Sequence, residues 1–240
     1  MKAMIFAAGL GTRLAPLTDT CPKALIEIGG VPMLGRVLDR VIDAGASEVV
    51  INVHWLAPRI EEYLSSRTWP VTVRVSDESD RLLDTGGGVL KAASMLGGED
   101  EVVLYNADIL TDFPLKEMIR THRASVADAT LLTSSTRKSS RKLLFDEAGR
   151  LRGWRNLTTG ELRGTDAPGE MAFGGVHIIS PAVIEALGDY ARANGEKFSM
   201  TPFYIAMADR LKIQSYEPSE PYRWVDIGKP ETLAEARKLF

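Results

Sequence analysis

The chain has 240 residues, one cysteine and a net charge of −3, with 45 % hydrophobic and 25 % charged residues. This is enough sequence for one large domain with a full core or for two small ones, in the composition range of globular proteins. The lone Cys21 excludes an internal disulfide and a cysteine-built zinc site, and the near-balanced charge excludes long-range steering toward nucleic acid or anionic membranes.

The first apolar run, MKAMIFAAG, is too short for a secretory signal core, and no apolar run reaches membrane-spanning length. The expected compartment is therefore cytoplasmic, with neither nucleic acid nor membrane as partner. AMIFAA reads as a strand buried on both faces, ALIEI as a short strand stopped by Gly29 and Gly30. Pro32 suits a first helical turn, and Leu34, Val37, Leu38, Val41 and Ile42 recur at helical spacing until Gly45. EVVINVH is a strand, APRIEEYLSS a helix and VTVRVS a strand. A helix follows Thr85-Gly-Gly-Gly, with the glycines read as its flexible N-terminal approach. EVVLYNAD is a strand ending at Asp108, LKEMIRTHRA a helix and DATLLTSS a strand. This β-α-β rhythm predicts an α/β fold, a mostly parallel sheet covered by helices.

The second half is less regular. KLLFDEAGRLRGW reads as a hairpin turning at residues 146–149, and the polar stretch 156–169 as a mobile loop. AFGGVHIIS is a strand with two glycines, followed by a helix from Pro181; FSMTPFYIAMADRL is amphipathic; KIQSYE is a strand. YRWVDIG is a strand ending at Asp226, and PETLAEARKLF is a closing helix. No linker composition and no internal repeat divides the chain, so one domain with a small added β region is expected. Residues 1–135 make up its first half and 136–240 its second.

Chemistry concentrates behind the first strand. Gly9-Leu-Gly11-Thr-Arg-Leu14 lacks the third glycine of a dinucleotide fingerprint and the spacing of a Walker loop. Its glycines nevertheless allow backbone N–H groups close to an anion, Thr12 adds a hydroxyl, and Arg13 offers a planar fork for phosphate oxygens. Lys23 ends the proline-flanked stretch. On these features alone the loop is either a surface turn or a phosphate cradle.

The stretch AAGLGTRLAPLT followed by PKAL resembles the signature of sugar-1-phosphate nucleotidyltransferases, with Ala24 in place of a second proline. The resemblance continues in order through LLDTGGGV, NAD, AFGGVHIIS and WVDIGKPETL, and so covers most of the chain. It implies a Rossmann-like nucleotide-diphospho-sugar transferase fold. The implied reaction transfers a nucleoside monophosphate from a nucleoside triphosphate to a sugar 1-phosphate, releasing pyrophosphate, with Mg2+ as cofactor. Ala8, Gly9, Gly11, Thr12 and Arg13 would wrap the triphosphate, with Arg13 and Lys23 as the catalytic cations. Thr85, Gly86, Gly87 and Asn106 would bind the nucleoside. Asp108 and Asp226, in contexts matching N-G-D and D-x-G, would hold the metal; Ala107 replaces the usual glycine.

For the sugar, Trp154, Asn156, Glu170, Gly175 and Trp224 are the candidates. The acids that many relatives carry after the hairpin are absent from Trp154-Arg-Asn-Leu157, which favours a modified sugar. The chain length is most like single-domain members, as a monomer or small homo-oligomer. Those members make UDP-sugar from UTP and N-acetylmuramate 1-phosphate, or use GTP with mannose or heptose 1-phosphate. A phosphocholine cytidylyltransferase is the nearest rival, for which Trp154, Trp224 and Tyr222 would surround the choline cation. A glycosyltransferase would want a D-x-D motif, and a non-catalytic sensor would have lost Arg13, Lys23 or a metal acid. Since a sugar phosphate is already an anionic nucleophile, His54, His122 and His177 are expected to be structural, and Cys21 no nucleophile.

Overall fold

The computed structural model describes residues 1–98 and 100–240. Strand β1 (Lys2–Phe6) leads through the glycine loop and three single turns of 3₁₀ helix to a short hairpin, β2 (Glu27–Ile28) and β3 (Val31–Pro32). Helix α1 (Met33–Asp43), β4 (Glu48–Val53), α2 (Ala57–Ser65), β5 (Thr72–Asp77), α3 (Asp84–Lys91) and α4 (Ala93–Leu96) follow. Next come β6 (Val102–Asn106), β7 (Ile109–Thr111), α5 (Leu115–Ala124), β8 (Ala129–Ser134), β9 (Arg141–Phe145), β10 (Leu151–Asn156) and β11 (Leu162–Gly164). The chain then runs through β12 (Gly169–Ile179), α6 (Pro181–Asn194), α7 (Met200–Met207), β13 (Ile213–Tyr216), β14 (Trp224–Asp226) and α8 (Pro230–Leu239). No helix among the described residues is long and apolar enough to cross a membrane.

Strands β6, β1, β4 and β5 lie side by side and parallel, with Phe6 opposite both Asn52 and Asn106. The expected α/β architecture is thus present. The long β12 runs antiparallel to β6 and carries β8 and β9 as further antiparallel neighbours. Strands β9, β10 and β11 form the added antiparallel region. Successive side chains of β1 point to opposite faces. Ala3 and Ile5 pack under α1, α2 and α5, whereas Met4 packs under α3, α6 and α7. A third core joins Leu14 and Ile26 near the glycine loop to Leu110 of β7, Val225 of β14 and Leu233 of α8. That core folds the end of the chain back against its beginning.

Five local expectations need correction. ALIEI is a 3₁₀ turn at Lys23–Leu25 followed by only two strand residues, and Pro32 caps α1 rather than opening it. Strand β6 stops at Asn106, which leaves Asp108 in the turn before β7. Residues 156–169 contain strand β11, paired to β10 beside Arg155, whose guanidinium bonds Asp166 (2.6 Å) and Glu170 (2.7 Å). Finally, Gly86, Gly87 and Gly88 lie inside α3 and are buried, not on an exposed approach to it. A side chain on Gly86 would overlap the Phe198 ring, and one on Gly87 the Glu196 carbonyl. On Gly88 the added carbon would lie 2.8 Å from a Glu78 oxygen.

Candidate active site

The carboxyl ends of β1, β4 and β6 open into a cleft of about 230 Å3, the usual place for ligands in open α/β sheets. Ala7, Ala8 and Gly9 form one wall, and Leu82, Asp84 and Thr85 another, with Lys23, Asn52, Asn106 and Asp108 between them. Gly11 has φ +66°, a left-handed conformation that suits glycine. Its carbonyl accepts hydrogen bonds from the Leu14 N–H (2.8 Å) and the Thr18 hydroxyl (2.9 Å). The Trp55 indole N–H in turn holds the Thr18 carbonyl at 2.9 Å. The glycine loop is therefore a fixed turn, with Thr12 and Arg13 left exposed on it.

A second, larger cleft of about 970 Å3 adjoins it, with Asn106 lining both. Its walls include Arg13, Arg137, Arg141, Trp154, Gly175, Trp224, Asp226 and Lys229. Gly175 (φ +75°) packs against Asn106, because a side chain there would lie 3.2 Å from the Asn106 Nδ2. Asn156 borders an adjoining recess with Trp154 and Arg141.

Between the two clefts the predicted acids meet. Strand β14 pairs antiparallel with β7, which sets Asp226 opposite Ile109, and the Ile227 N–H bonds the Asp108 carbonyl at 3.0 Å. The Lys23 ammonium forms a close ion pair with Asp108 and lies 3.6 Å from Asp226. The lysine side chain is 12 % exposed, against 27 % and 39 % for the acids. Gly228 leaves its side unfilled: a Cβ there would sit 2.6 Å from Arg13 Nη2, 2.7 Å from Asp226 Oδ1 and 3.1 Å from Lys23 Nζ. Asp108 in the β6–β7 turn and Asp226 at the end of β14 thus both approach the Lys23 ammonium beside the bare backbone of Gly228.

Other expected residues are placed differently. Thr85 lines the smaller cleft but its hydroxyl accepts the Met200 N–H (2.9 Å). The N–H groups of Gly86 and Gly87 both donate to the Phe198 carbonyl, at 2.8 and 3.1 Å, so they are not free to read a base. Glu170 is bound to Arg155 and lines neither cleft. Trp224 donates its indole N–H to the Gly174 carbonyl (2.9 Å) and carries the Arg137 guanidinium 3.6 Å over its ring. Arg163 lies 5.2 Å over the Trp154 ring.

None of the three histidines lines either cleft, although His177 packs behind Phe6 and Phe173 of their walls. His177 is buried with its Nδ1 2.6 Å from the Tyr204 hydroxyl, and burial pushes its pKa down to about 3. His122 shares a hydrogen bond with Thr130 (2.8 Å) and is also shifted down, chiefly by burial. The His54 Nδ1 is 2.6 Å from the Glu78 carbonyl. Burial raises the pKa of the Cys21 thiol, which opposes nucleophilic use.

Several site residues carried no signal in the sequence. Asn52 accepts the Ala7 N–H (2.9 Å) and donates to the fully buried Glu78 (2.8 Å), whose other oxygen accepts the Leu83 N–H (3.0 Å). Asp84 opens α3 in a left-handed conformation (φ 59°) at the cleft wall, a backbone state that asparagine and aspartate tolerate better than most residues. A strand-end Asn or a lone Asp marks neither arrangement, since each depends on a distant partner.

The family model described as nucleotidyl transferase matches residues 2–142. The chain belongs to the nucleotidyl transferase family. An N-acetylmuramate alpha-1-phosphate uridylyltransferase of Caulobacter vibrioides is 32 % identical over 247 residues, 98 % of this chain and 96 % of that one. A Neisseria meningitidis protein of the same name is 43 % identical over 122 residues, 50 % of this chain and 52 % of its own length. A mannose-1-phosphate guanylyltransferase catalytic subunit beta of Drosophila pseudoobscura pseudoobscura is 28 % identical over 248 residues; the nucleotidyltransferase described here spans 62 % of its length. The fold matches a UDP-glucose pyrophosphorylase from Acinetobacter baumanii with a TM-score of 0.79, at 18 % identity, over 98 % of this chain and 91 % of that one. The chain is an enzyme of the nucleotidyl-transferring class.

Proposed function

We propose that this nucleotidyltransferase joins the nucleoside monophosphate of a triphosphate to a sugar 1-phosphate, and that the reaction takes place where the two clefts meet. The observation that carries this reading is the convergence of Lys23, Asp108, Asp226 and Arg13 around Gly228, at the junction of the clefts. The smaller cleft suits the nucleotide, with the glycine loop (Ala8, Gly9, Gly11, Thr12) along the phosphates. The larger suits the sugar phosphate. In sequence terms residues 1–135 serve mainly the first, and 136–240 the second together with Asp226.

The donor set also fits a divalent cation. Magnesium is held by one or two carboxylates, with water and substrate phosphates completing its shell, and Asp108 and Asp226 present two carboxylates to one cation position. Such an ion supplies charge neutralisation at the α-phosphate. The rest falls to the chain. Arg13 and Lys23 offset the charge that builds on the phosphate oxygens and leaving pyrophosphate. Asn106, shared by both clefts, orients the two substrates toward each other. A sugar-phosphate oxygen then bonds to the α-phosphorus while the bond to pyrophosphate breaks. No protein base is needed, because the second pKa of a phosphate monoester is about 6.

UTP with N-acetylmuramate 1-phosphate is the favoured pair, supported by the near full-length alignment to the Caulobacter uridylyltransferase; GTP with mannose 1-phosphate is the second reading, supported by the Drosophila relative. The phosphocholine reading loses support, because guanidinium groups already lie over the rings of Trp154 and Trp224. The test is pyrophosphate release from UTP, GTP and CTP, each with N-acetylmuramate 1-phosphate, mannose 1-phosphate and phosphocholine. Release with a sugar phosphate is expected. Release with phosphocholine alone would overturn the reading.

A further inference from the structure

The Arg13 side chain has no hydrogen bond or ion pair among the described residues, yet it reaches the seam between the clefts, where a carbon added to Gly228 would lie 2.6 Å from its Nη2. What fixes it is the turn beneath it and the bare side of Gly228. In that turn a single 3₁₀ turn, Thr12–Leu14, follows the left-handed Gly11. The Gly11 carbonyl accepts both the Leu14 N–H (2.8 Å) and the Thr18 hydroxyl (2.9 Å). Thr18 is 2 % exposed, and a carbon added to Gly11 would lie 2.8 Å from its methyl group. Thr18 thus holds the turn through its hydroxyl and packs on it through its methyl.

Thr18 is itself held from outside the loop, by the Trp55 indole N–H on its carbonyl (2.9 Å). Trp55 lies between β4 and α2, in a stretch fixed on both sides. The His54 Nδ1 is 2.6 Å from the Glu78 carbonyl, and the Leu56 carbonyl accepts the Arg59 N–H at 2.9 Å. Leu56 takes a left-handed conformation (φ 53°), a costly state for leucine that persists only where its surroundings impose it. Of the four tryptophans, Trp69, Trp154 and Trp224 pack against a hydrophobic core; Trp55 joins none among the described residues and is 39 % exposed. Burial does not account for this ring. Its hydrogen bond to the loop does.

Resting on the reading that reaction takes place at the seam, we infer that Trp55 is a positioning residue for the transfer. From the Trp55 N–H to the Thr18 carbonyl, and from the Thr18 hydroxyl to the Gly11 carbonyl, it ties the turn that carries Arg13 to the end of β4. Trp55 touches no reacting atom; it sets where the Arg13 guanidinium stands, and a small misplacement of a charge-stabilising group lowers the rate of the chemical step. Loss of one such hydrogen bond should cost about 2- to 12-fold in kcat, the fold-change to which about 0.5–1.5 kcal/mol converts.

The experiment uses Trp55→Phe, which keeps an aromatic ring and removes the N–H, and Thr18→Val, which keeps the shape and removes the hydroxyl. Thr18→Ser restores the hydroxyl. Each is made in the wild type and in an Arg13→Ala background, and pyrophosphate release is followed with UTP and with GTP at saturating N-acetylmuramate 1-phosphate or mannose 1-phosphate. Trp55→Phe and Thr18→Val should each lower kcat by about 2- to 12-fold, with Thr18→Ser close to wild type. Where Arg13 is already replaced, the same substitutions should leave kcat unchanged. Amide hydrogen exchange reads the same coupling without turnover: in Trp55→Phe it should quicken across residues 9–18 and stay unchanged across 57–65. Unchanged kcat in Trp55→Phe, an equal loss with and without Arg13, or faster exchange confined to 57–65 overturns the inference and leaves the transferase reading standing. No release by the wild type with any sugar 1-phosphate overturns both.

Discussion

The two clefts are made from different materials. The smaller is built at the ends of parallel strands, from backbone turns held by buried polar side chains: the Ala7 N–H donates to Asn52, Asn52 to Glu78, and the Leu83 N–H to Glu78. The larger is walled mainly by long cationic and aromatic side chains from the glycine loop, the segment between β8 and β9, and the antiparallel strands. In the first, shape is set by main chain and buried polar contacts before a ligand binds. In the second, side-chain identity sets what is accepted, so a few substitutions change selectivity without touching the sheet. This division is the usual economy of α/β enzymes, where a rigid scaffold positions variable surfaces.

The largest effect that would break this contrast concerns the seam between the clefts. Asp108→Asn and Asp226→Asn should each lower kcat by about a hundredfold to a thousandfold, read as pyrophosphate release. The melting temperature should stay close to wild type, because both acids are partly exposed. Comparable activity in either variant would mean that the seam is not where reaction occurs.

Lys23→Ala should lower kcat by about tenfold to a hundredfold, or roughly 1.4–2.7 kcal/mol of transition-state stabilisation. A rise in KM with kcat unchanged would instead make Lys23 a uniform binder.

Gly86→Ala sharpens the contrast from the stability side. The added methyl meets Phe198 in a filled core, and overpacking of that kind costs about 1–3 kcal/mol, measurable by urea unfolding. If stability holds and only nucleotide KM rises, the glycine belongs to the ligand surface and not to the packing.

A smaller effect follows from the pH response. His177 is neutral down to about pH 3 when folded, whereas its ordinary pKa is 6.5. The unfolded chain binds the extra proton between those values, so this residue contributes stability that is lost as pH falls from about 6.5 toward 3. His177→Gln should flatten that part of the stability curve. The smallest effect of all is expected for His54→Gln and His122→Gln, which should keep kcat within about threefold, far from the hundredfold or more that loss of a general base brings.

How far the sequence reaches also differs between the halves. The parallel strands are legible from their continuous apolar runs, and the glycine loop from its spacing, because both signals are local. That Asp108 and Asp226 both approach Lys23 depends on a β7–β14 pairing between short segments far apart in the chain, which no local signal shows. Gly86 and Gly87 were misplaced for a related reason. Their role is decided by Phe198 and Glu196, more than a hundred residues later, and nothing near the glycines shows that partner. Glu170 looks like a sugar contact until Arg155 takes it up. Arg137 and Arg141 carry no distinct signal, because a basic stretch in sequence is indistinguishable from a solvated face. Only the Trp224 stack and the cavity give them distinct meanings.

Glu78 has no exposed surface, yet it is the keystone between the first strand and the start of α3. In mechanical terms it turns the smaller cleft into a fixed jaw. Widening that jaw would strip partners from a carboxylate that water does not reach, a change more costly than bending an exposed hairpin. The β9–β11 side differs, because its Arg155–Asp166 and Arg155–Glu170 ion pairs are partly open to solvent. A fold arranged in this way keeps the smaller cleft at a constant gauge whatever side chains wall the larger one.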